Sequence, residues 1–333
     1  MTAAETTRGR IRWGILGAAH IARVTTAPAI AASSNGKVEA VASRSLEKAR
    51  AWAKEIGVAK AYGSYDELLA DADVDAVYVP LPISMHCEWS IRCAEAGKHV
   101  LVEKPIAATA DEARRMADAF SRSGLVIAEG LMYTYHPLTR KVLDMVRAGA
   151  VGEVRMVTAS FNAAVHDPGN IRMRRETGGG GLLDVGSYCV SFLRHATGEE
   201  PDDVAALGRY ADGDGVDENL AAVLKFPSGV IGYLGCGIKT QFDCSYSVSG
   251  TTGRLLVDRG ALCAWPGEGF RIRHFHGDDE DQIPVPEANH YTLMVEDFAD
   301  AVLNDRRPAN AVEDAVKNMA VLDRIAKAAR SSA

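Results

Sequence analysis

The segment that most constrains the fold is a short apolar strand followed by closely spaced small residues near the start of the chain. Gly17, Ala19 and Ala22 occupy the small positions of a G-x-G-x-x-G/A fingerprint. Gly17 permits a sharp turn, and the alanines allow close approach of a pyrophosphate and of helix to strand. Backbone amides at the helix start, at His20 and Ile21, would face the phosphates. The segment predicts a dinucleotide-binding turn, with an ordinary strand-to-helix turn as the alternative.

The pattern of strands and helices divides the chain into two parts. Up to residue 129, apolar strands alternate with helices, which is typical of a doubly wound parallel sheet covered on both faces. Beyond it, strand-like segments have hairpin spacing before two closing helices. The 333 residues therefore predict an α/β protein, with a dinucleotide-binding domain at 1–129 and an α+β domain with an open, mainly antiparallel sheet at 130–333. Residues 1–9 are expected to form a loose tail.

The composition argues against several classes of protein. A net charge of −7 without clustered Lys or Arg disfavours a nucleic-acid partner. No apolar segment approaches the roughly 18 residues that a membrane span needs. Six scattered cysteines without CxxC or Cys/His spacing predict reduced thiols, a cytoplasmic location and no structural zinc. No carboxylate and histidine cluster has metal-ligand spacing, so no metal is expected in the chemistry.

The end of the second predicted strand carries a cation where NAD-binding proteins usually carry an acid. In those proteins an Asp or Glu about 20 residues beyond the glycines holds the 2′-hydroxyl of the adenosine ribose. Here the strand ends in Ala42, Ser43 and Arg44. The guanidinium could bind a 2′-phosphate, with help from Ser43 and, one turn later, from Lys48. The sequence predicts NADP(H) in preference to NAD(H), with a solvated loop arginine as the alternative.

Two further segments follow buried strands at the sheet edge where ligands bind in open α/β sheets. Leu81 and Pro82 lead to His86, which lies near the cofactor or is a hydrogen-bonded residue at a helix start. Glu103 and Lys104 precede Pro105, and buried charges in that position are costly unless paired. The proline aims the lysine and permits a cis peptide bond. An amine there could polarise a carbonyl or lower a neighbour's pKa; a surface-loop lysine is the alternative.

Taken together, the motifs resemble those of the Gfo/Idh/MocA oxidoreductase family. The resemblance spans essentially the whole chain. Relatives include glucose–fructose oxidoreductase, NADP-dependent xylose dehydrogenases and dihydrodiol dehydrogenases, and they imply a Rossmann-type first domain. The motifs that carry the resemblance are Gly17-x-Ala19-x-x-Ala22, Ala42-Ser43-Arg44, Leu81-Pro82-x-x-x-His86, Glu103-Lys104-Pro105 and Asp184-x-Gly186-x-Tyr188.

The resemblance assigns roles to particular positions. It implies that Lys104 is the catalytic lysine and that Asp184 and Tyr188 form the acid–base element. It also implies that Arg172 reaches towards the nicotinamide. A tyrosine at 188, where inositol dehydrogenases have histidine, resembles the branch of glucose–fructose oxidoreductase and dihydrodiol dehydrogenase. The cofactor-binding residues implied are Gly17, Ala19, His20, Ile21, Ser43, Arg44, Lys48, Leu81, Pro82, His86, Glu103, Lys104 and Arg172.

The residue chemistry agrees with these roles. Asp184 and Tyr188 are four residues apart, so they share one face of a helix. A nearby Lys104 ammonium is expected to lower the pKa of Tyr188 and prepare it for proton transfer. Tyr188 would protonate a carbonyl oxygen while Asp184 orients a substrate hydroxyl; helix residues with local hydrogen bonds are the alternative. The glycine run at 178–181 is expected to let the backbone pass close to the nicotinamide.

The expected function is NADP(H)-dependent hydride transfer to or from a secondary alcohol or ketone of a sugar or sugar derivative. Family resemblance further implies a homo-oligomer, a dimer or tetramer, formed through the second sheet. Two alternatives stay open. One is a trans-dihydrodiol or D-xylose dehydrogenase working in the oxidative direction. The other is a non-catalytic regulator that senses the nucleotide, which would not need to keep Lys104 and Tyr188 together.

Overall fold

The apolar strands of the first part form a six-stranded parallel sheet. The computed structural model describes residues 9–212, 215–264 and 269–331, so residues 1–8 of the expected tail lie outside it. The strands lie in the order β3-β2-β1-β4-β5-β6, the doubly wound arrangement of dinucleotide-binding domains. They are β1 (Ile11–Leu16), β2 (Gly36–Ala42), β3 (Lys60–Tyr62), β4 (Ala76–Val79), β5 (His99–Glu103) and β6 (Ile127–Gly130).

Helices with clear end signals connect these strands. Ser45 and Thr109 accept hydrogen bonds from the first-turn amides of α2 and α5 as side-chain N-caps, and Gly124 ends α5 with a φ of 68°. A π-helical turn, Ala22–Thr26, precedes α1. The helices are α1 (Ala27–Ala32), α2 (Leu46–Glu55), α3 (Tyr65–Leu69), α4 (His86–Glu95) and α5 (Ala110–Ser123).

The second part contains an eight-stranded mixed sheet. Its order is β14-β13-β12-β11-β7-β10-β9-β8, and only the β7–β10 pair among the paired strands described is parallel. The predicted open, mainly antiparallel sheet is thus confirmed. Its strands are β7 (Val154–Ala164), β8 (Asp203–Tyr210), β9 (Asp217–Lys225), β10 (Ile231–Gly237), β11 (Lys239–Gly250), β12 (Gly253–Val257), β13 (Phe270–His276) and β14 (Asp279–Val285).

The closing helices join the two parts. Phe298 on α8 packs against Trp13 of β1 with ring centroids 5.0 Å apart, and α9 lies against α5. The change of sheet falls after β6, next to the predicted boundary at 129 and 130. A second π-helical turn, Leu182–Gly186, precedes α7. The helices of this part are α6 (Pro137–Arg147), α7 (Ser187–Thr197), α8 (His290–Leu303) and α9 (Val312–Ser331).

Burial of the apolar side chains agrees with this architecture. Strands β4 and β5 are almost wholly buried, because helices cover both faces of the parallel sheet. The six cysteines are buried and none forms a disulfide, in line with the prediction of reduced thiols. Within the described ranges, the helices are all too short or too polar to cross a membrane.

Candidate active site

The turn after β1 has the geometry that the fingerprint predicts. Gly17 has a φ of +92°, and its amide donates to the Ala42 carbonyl oxygen at 2.8 Å. A Cβ at this position would lie 3.0 Å from a methyl of Leu81, so the turn favours glycine for both backbone and space. Ala19 is half-buried and His20, at the start of the helix, is exposed. The turn therefore leaves helix-start amides near solvent, which suits a pyrophosphate.

The cations predicted for a 2′-phosphate lie at the end of β2. Ser43 is buried, whereas Arg44 and Lys48 are exposed. Burial raises the pKa of Tyr65, and the charge of Arg44 partly offsets that rise. The Tyr65 hydroxyl would lie 3.5 Å from a Cβ at Gly17, so Arg44 and the fingerprint turn border the same region. Exposed cations beside a glycine turn fit a phosphorylated dinucleotide.

The His86 ring is buried and contacts main-chain carbonyl oxygens. It is 1% exposed, with Nε2 2.8 Å from the Leu81 carbonyl oxygen and Nδ1 3.0 Å from that of Pro105. Burial lowers the pKa of His86 to about 4. This arrangement favours the hydrogen-bonded alternative over direct contact with the cofactor. The neutral imidazole lies between the Leu81 and Pro105 carbonyl oxygens and can donate a hydrogen bond to one of them.

The lysine of the Glu-Lys-Pro motif lies at the centre of a charge cluster. Lys104 Nζ donates to the Asp184 carboxylate at 2.9 Å and to the Asp184 carbonyl oxygen at 2.6 Å. Arg172 Nε donates to the other carboxylate oxygen at 2.6 Å. The Lys104–Pro105 peptide bond is cis, as the sequence allowed. Residues 80 positions apart thus meet at the carboxyl end of β5, where open α/β sheets bind ligands.

The Asp184 carboxyl is ionised in this setting. Burial alone would raise its pKa, but the charges and hydrogen bonds of Lys104 and Arg172 lower it to about 2. Its side chain is 11% exposed, and the side chain of Lys104 is 12% exposed. Because both partners are largely removed from water, losing either one would leave a costly unpaired charge. The pair therefore keeps the ammonium in one place.

Tyr188 lies beside this cluster, but its ionisation differs from the expectation. Lys104 Nζ lies 5.0 Å from the centroid of the Tyr188 ring, and the hydroxyl lies 3.5 Å from the Met132 sulfur. Burial, and then Tyr291 and Glu103, raise the pKa of Tyr188 well above its ordinary value. The prediction of a lowered pKa is wrong for this state, because burial and the neighbouring Tyr291 and Glu103 disfavour the charged phenolate. Tyr188 is a neutral phenol.

Two buried carboxylates that support the lysine loop complete the site. Glu103 accepts a hydrogen bond from the Tyr78 hydroxyl and another from the Lys104 amide at 3.2 Å. Glu129, on β6, accepts from the Ile106 amide at 2.8 Å. Sequence reasoning missed Glu129, although an acid inside an apolar strand is itself a signal of a specific partner. The pair fixes both sides of the Lys104–Pro105 bond.

The glycine run at 178–181 packs closely against other segments of the chain. An added Cβ at Gly179 or Gly180 would collide with the Arg172 carbonyl oxygen or the Asp217 carboxylate, and Gly180 has a φ of +118°. The Leu182 amide donates to Asp217 at 2.6 Å. The glycines thus serve close packing within the chain, which positions the helix start that carries Asp184.

Both parts of the chain match models of one protein family. A model described as the oxidoreductase family with an NAD-binding Rossmann fold matches residues 11–131. A model of the GFO/IDH/MocA carboxy-terminal domain matches residues 139–256. The fold and site are thus those of a two-domain oxidoreductase. The chain belongs to the GFO/IDH/MocA family, which confirms the resemblance drawn from its motifs.

Two of the similar proteins are named for reactions of sugars. The dTDP-3,4-didehydro-2,6-dideoxy-alpha-D-glucose 3-reductase of Streptomyces violaceoruber is 39% identical over 90% of this chain and 86% of that protein. The D-xylose 1-dehydrogenase (NADP(+)) 2 of Haloferax volcanii is 35% identical over 96% of this chain and 98% of that protein. The crystal structure of KijD10, a 3-ketoreductase from Actinomadura kijaniata in complex with NADP and TDP-benzene, has a TM-score of 0.92 at 32% identity, covering 96% of this chain and 98% of that chain.

Substituting Glu129 tests the buried carboxylate. Burial raises the pKa of Glu129 from 4.5 to about 7, so the folded chain holds a proton that the unfolded chain releases between those values. Stability should therefore fall as pH rises through this window. In Glu129→Gln, the free energy of unfolding should decrease by about 3 kcal/mol less across this pH window than in the wild type. Urea unfolding at several pH values in the window measures this difference.

The control is Glu95→Gln, at an exposed position at the end of α4. It should keep the wild-type dependence of stability on pH. A Glu129→Gln protein with the same pH dependence as wild type would contradict the assignment.

Proposed function

We propose that this chain is an NADP(H)-dependent oxidoreductase that reduces a ketone of a sugar or sugar derivative to a secondary alcohol. The observation that carries the proposal is the meeting of Lys104, Asp184, Arg172 and Tyr188 at the carboxyl ends of the parallel strands. The NADP-bound 3-ketoreductase structure and the sugar-nucleotide reductase among its relatives support the substrate class. When bound, the reduced nicotinamide supplies a hydride to the carbonyl carbon.

Tyr188 is the proton donor in this proposal. Its raised pKa keeps the phenol protonated, and the only hydrogen-bond acceptor described for its hydroxyl is the Met132 sulfur, which is weak. A substrate oxygen is a better acceptor and would displace that contact. As the carbonyl is reduced, the O–H bond of Tyr188 breaks and the proton goes to the substrate oxygen. The phenolate left behind faces the Lys104 ammonium, which stabilises it.

Asp184 and Arg172 position the lysine. Asp184 accepts one hydrogen bond from each cation and keeps further lone pairs that a substrate hydroxyl could use. Its main contribution is to hold Lys104 over the Tyr188 ring. Arg172, whose side chain is 43% exposed, lies on the open side of the cluster and would face an incoming ligand.

An aromatic wall extends from Tyr188 towards solvent. Phe161 lies 5.3 Å from the Tyr188 ring, and Phe242 lies 6.3 Å from Phe161 in an edge-on arrangement. Phe242 is 44% exposed, so this end of the row of aromatic rings is open to solvent. Aromatic surfaces suit the apolar faces of a sugar ring. We assign this wall to the substrate approach.

Replacing the phenol hydroxyl tests the proton donor. Tyr188→Phe should lower kcat by roughly 10²–10⁴-fold, because the ring stays but the proton is lost. NADPH affinity, followed by fluorescence, should change little. Activity is read from NADPH absorbance with a panel of keto-sugars.

The matched control is Tyr133→Phe, since the Tyr133 ring lies 5.9 Å from Tyr188 while its hydroxyl pairs with Ser191. Tyr133→Phe should keep near-normal kcat. Normal turnover by Tyr188→Phe would exclude the assigned role.

We assign the preference for NADP(H) over NAD(H) to Arg44. Arg44→Ala should shift the ratio of kcat/KM for NADPH over NADH towards NADH by roughly tenfold or more, because a charge-assisted contact to the 2′-phosphate is lost. Steady-state kinetics with both cofactors measures the ratio. Arg50→Ala, another exposed arginine two turns along, should leave the ratio unchanged. An unchanged ratio of kcat/KM for NADPH over NADH in Arg44→Ala would contradict the assignment.

We also propose a homo-oligomer formed through the outer face of the second sheet. Strand register places exposed apolar residues of four neighbouring strands on one face. These residues, each between 44% and 67% exposed, are Met156, Leu207, Val223 and Tyr233. Such a face is typical of an interface between copies.

A charge on this face tests the interface. Val223→Asp combined with Tyr233→Asp should convert a dimer or tetramer into monomers, because buried unpaired carboxylates are costly. Light scattering after size exclusion measures the mass. Val24→Asp, at an exposed apolar position in the first part, should keep the wild-type mass. Wild-type protein that is itself monomeric would refute the proposal.

Oxidation of a sugar is the second candidate, favoured by the similarity to a D-xylose 1-dehydrogenase. The neutral Tyr188 phenol favours reduction, since oxidation needs a proton acceptor at that atom. Comparing initial rates with NADPH plus keto-sugars and with NADP⁺ plus aldoses separates the two directions. Cofactor binding without turnover on either panel would instead indicate a nucleotide-sensing role.

A further inference from the structure

The outermost hairpin of the second sheet carries a group of potential metal ligands that the proposed reaction does not use. His274 and His276 are two residues apart on β13, so both side chains lie on one face. Asp281, on β14, is directly opposite His274 in the strand register. One potential ligand atom from each residue lies within 4.8 Å of the other two. His276 Nε2 is 2.8 Å from the Asp281 carboxylate.

His274 is already oriented by a main-chain contact. Its Nε2 lies 2.9 Å from the carbonyl oxygen of Ala150, just beyond the carboxyl end of α6. A hydrogen donated from Nε2 to that carbonyl leaves the lone pair on Nδ1. Metal-binding histidines commonly donate their second ring nitrogen to a backbone carbonyl in this way. The carboxyl end of α6 also contributes a negative potential that favours a cation.

We propose that His274, His276 and Asp281 form a surface site for a divalent transition cation of the zinc class. Two imidazoles and one carboxylate are borderline N and O donors, which suit Zn²⁺ better than Ca²⁺ or Mg²⁺. Three protein ligands leave a fourth tetrahedral position for water. Such a site would overturn the sequence-based expectations of no structural zinc and of no carboxylate and histidine cluster with metal-ligand spacing.

The geometry needs only local adjustment to close on an ion. Bonds of about 2 Å in a tetrahedral site place ligand atoms about 3.4 Å apart. The His276–Asp281 pair is already closer than that, and the remaining contraction can come from side-chain rotation. His276 and Asp281 are 40% and 63% exposed at the side chain, so they are free to turn. A bound ion would tie both strands of the edge hairpin together near the end of α6.

A zinc titration of the whole chain tests the site. Chelator-stripped protein should bind one Zn²⁺ per chain in calorimetry with ZnCl₂, and Tm should rise with ZnCl₂ but not with MgCl₂. His276→Ala should weaken binding by roughly tenfold or more and remove the rise in Tm. His166→Ala, at an exposed histidine outside the hairpin, should bind Zn²⁺ like wild type.

Two outcomes would overturn the proposal. One is wild-type protein that takes up no Zn²⁺ in the titration. The other is unchanged stoichiometry and affinity in His276→Ala or in Asp281→Asn, which would place the ion elsewhere. Asp281→Asn provides a second variant that keeps the side-chain shape, and circular dichroism establishes that each variant is folded. Weakened Zn²⁺ binding by folded Asp281→Asn supports the site, and unchanged binding by it also counts against the site.

Discussion

The ion pair between Lys104 and Asp184 is the interaction on which the candidate site depends. It joins the end of β5 in the parallel sheet to the helix start that leads into α7. Both side chains are largely buried, so each charge needs the other and Arg172 completes the compensation. The placement of the reactive groups therefore depends on how the two parts of the chain pack together. A shift between them would leave charges unpaired.

Beneath this pair, neutral and polar groups keep the lysine loop rigid. His86 lies within hydrogen-bond distance of the Pro105 carbonyl oxygen, Glu129 accepts from the Ile106 amide, and Glu103 accepts from the Lys104 amide. Each contact reaches the main chain, so it fixes the backbone and leaves the Lys104 ammonium free for Asp184. Buried hydrogen bonds to backbone groups are strong because water cannot compete for them. Residues that never touch a ligand can thus determine where the ammonium lies.

The sequence predicted the parts governed by local pattern and by motif. The apolar strands of the parallel sheet are confirmed. Gly17 lies in a sharp turn and Lys104 lies near the Tyr188 ring, because chain topology brings strand ends together. Strand β3 and the hairpin β13–β14 were missed, since one is short and the other carries many charges. The pKa of Tyr188 had the wrong direction because it depends on burial and on Glu103 and Tyr291, which sequence spacing does not reveal.

That corrected pKa changes how the proposed proton transfer from Tyr188 should be understood. If Tyr188 were ionised before the reaction, the attraction between the Lys104 ammonium and the phenolate would already stabilise the ground state. In this structure the ammonium lies 5.0 Å from a neutral ring and interacts with it weakly. The attraction grows only as the phenol gives up its proton and negative charge develops. Interactions that strengthen towards the transition state are the ones that accelerate a reaction. A neutral Tyr188 beside a fixed cation is therefore better suited to reduction than a tyrosinate already formed.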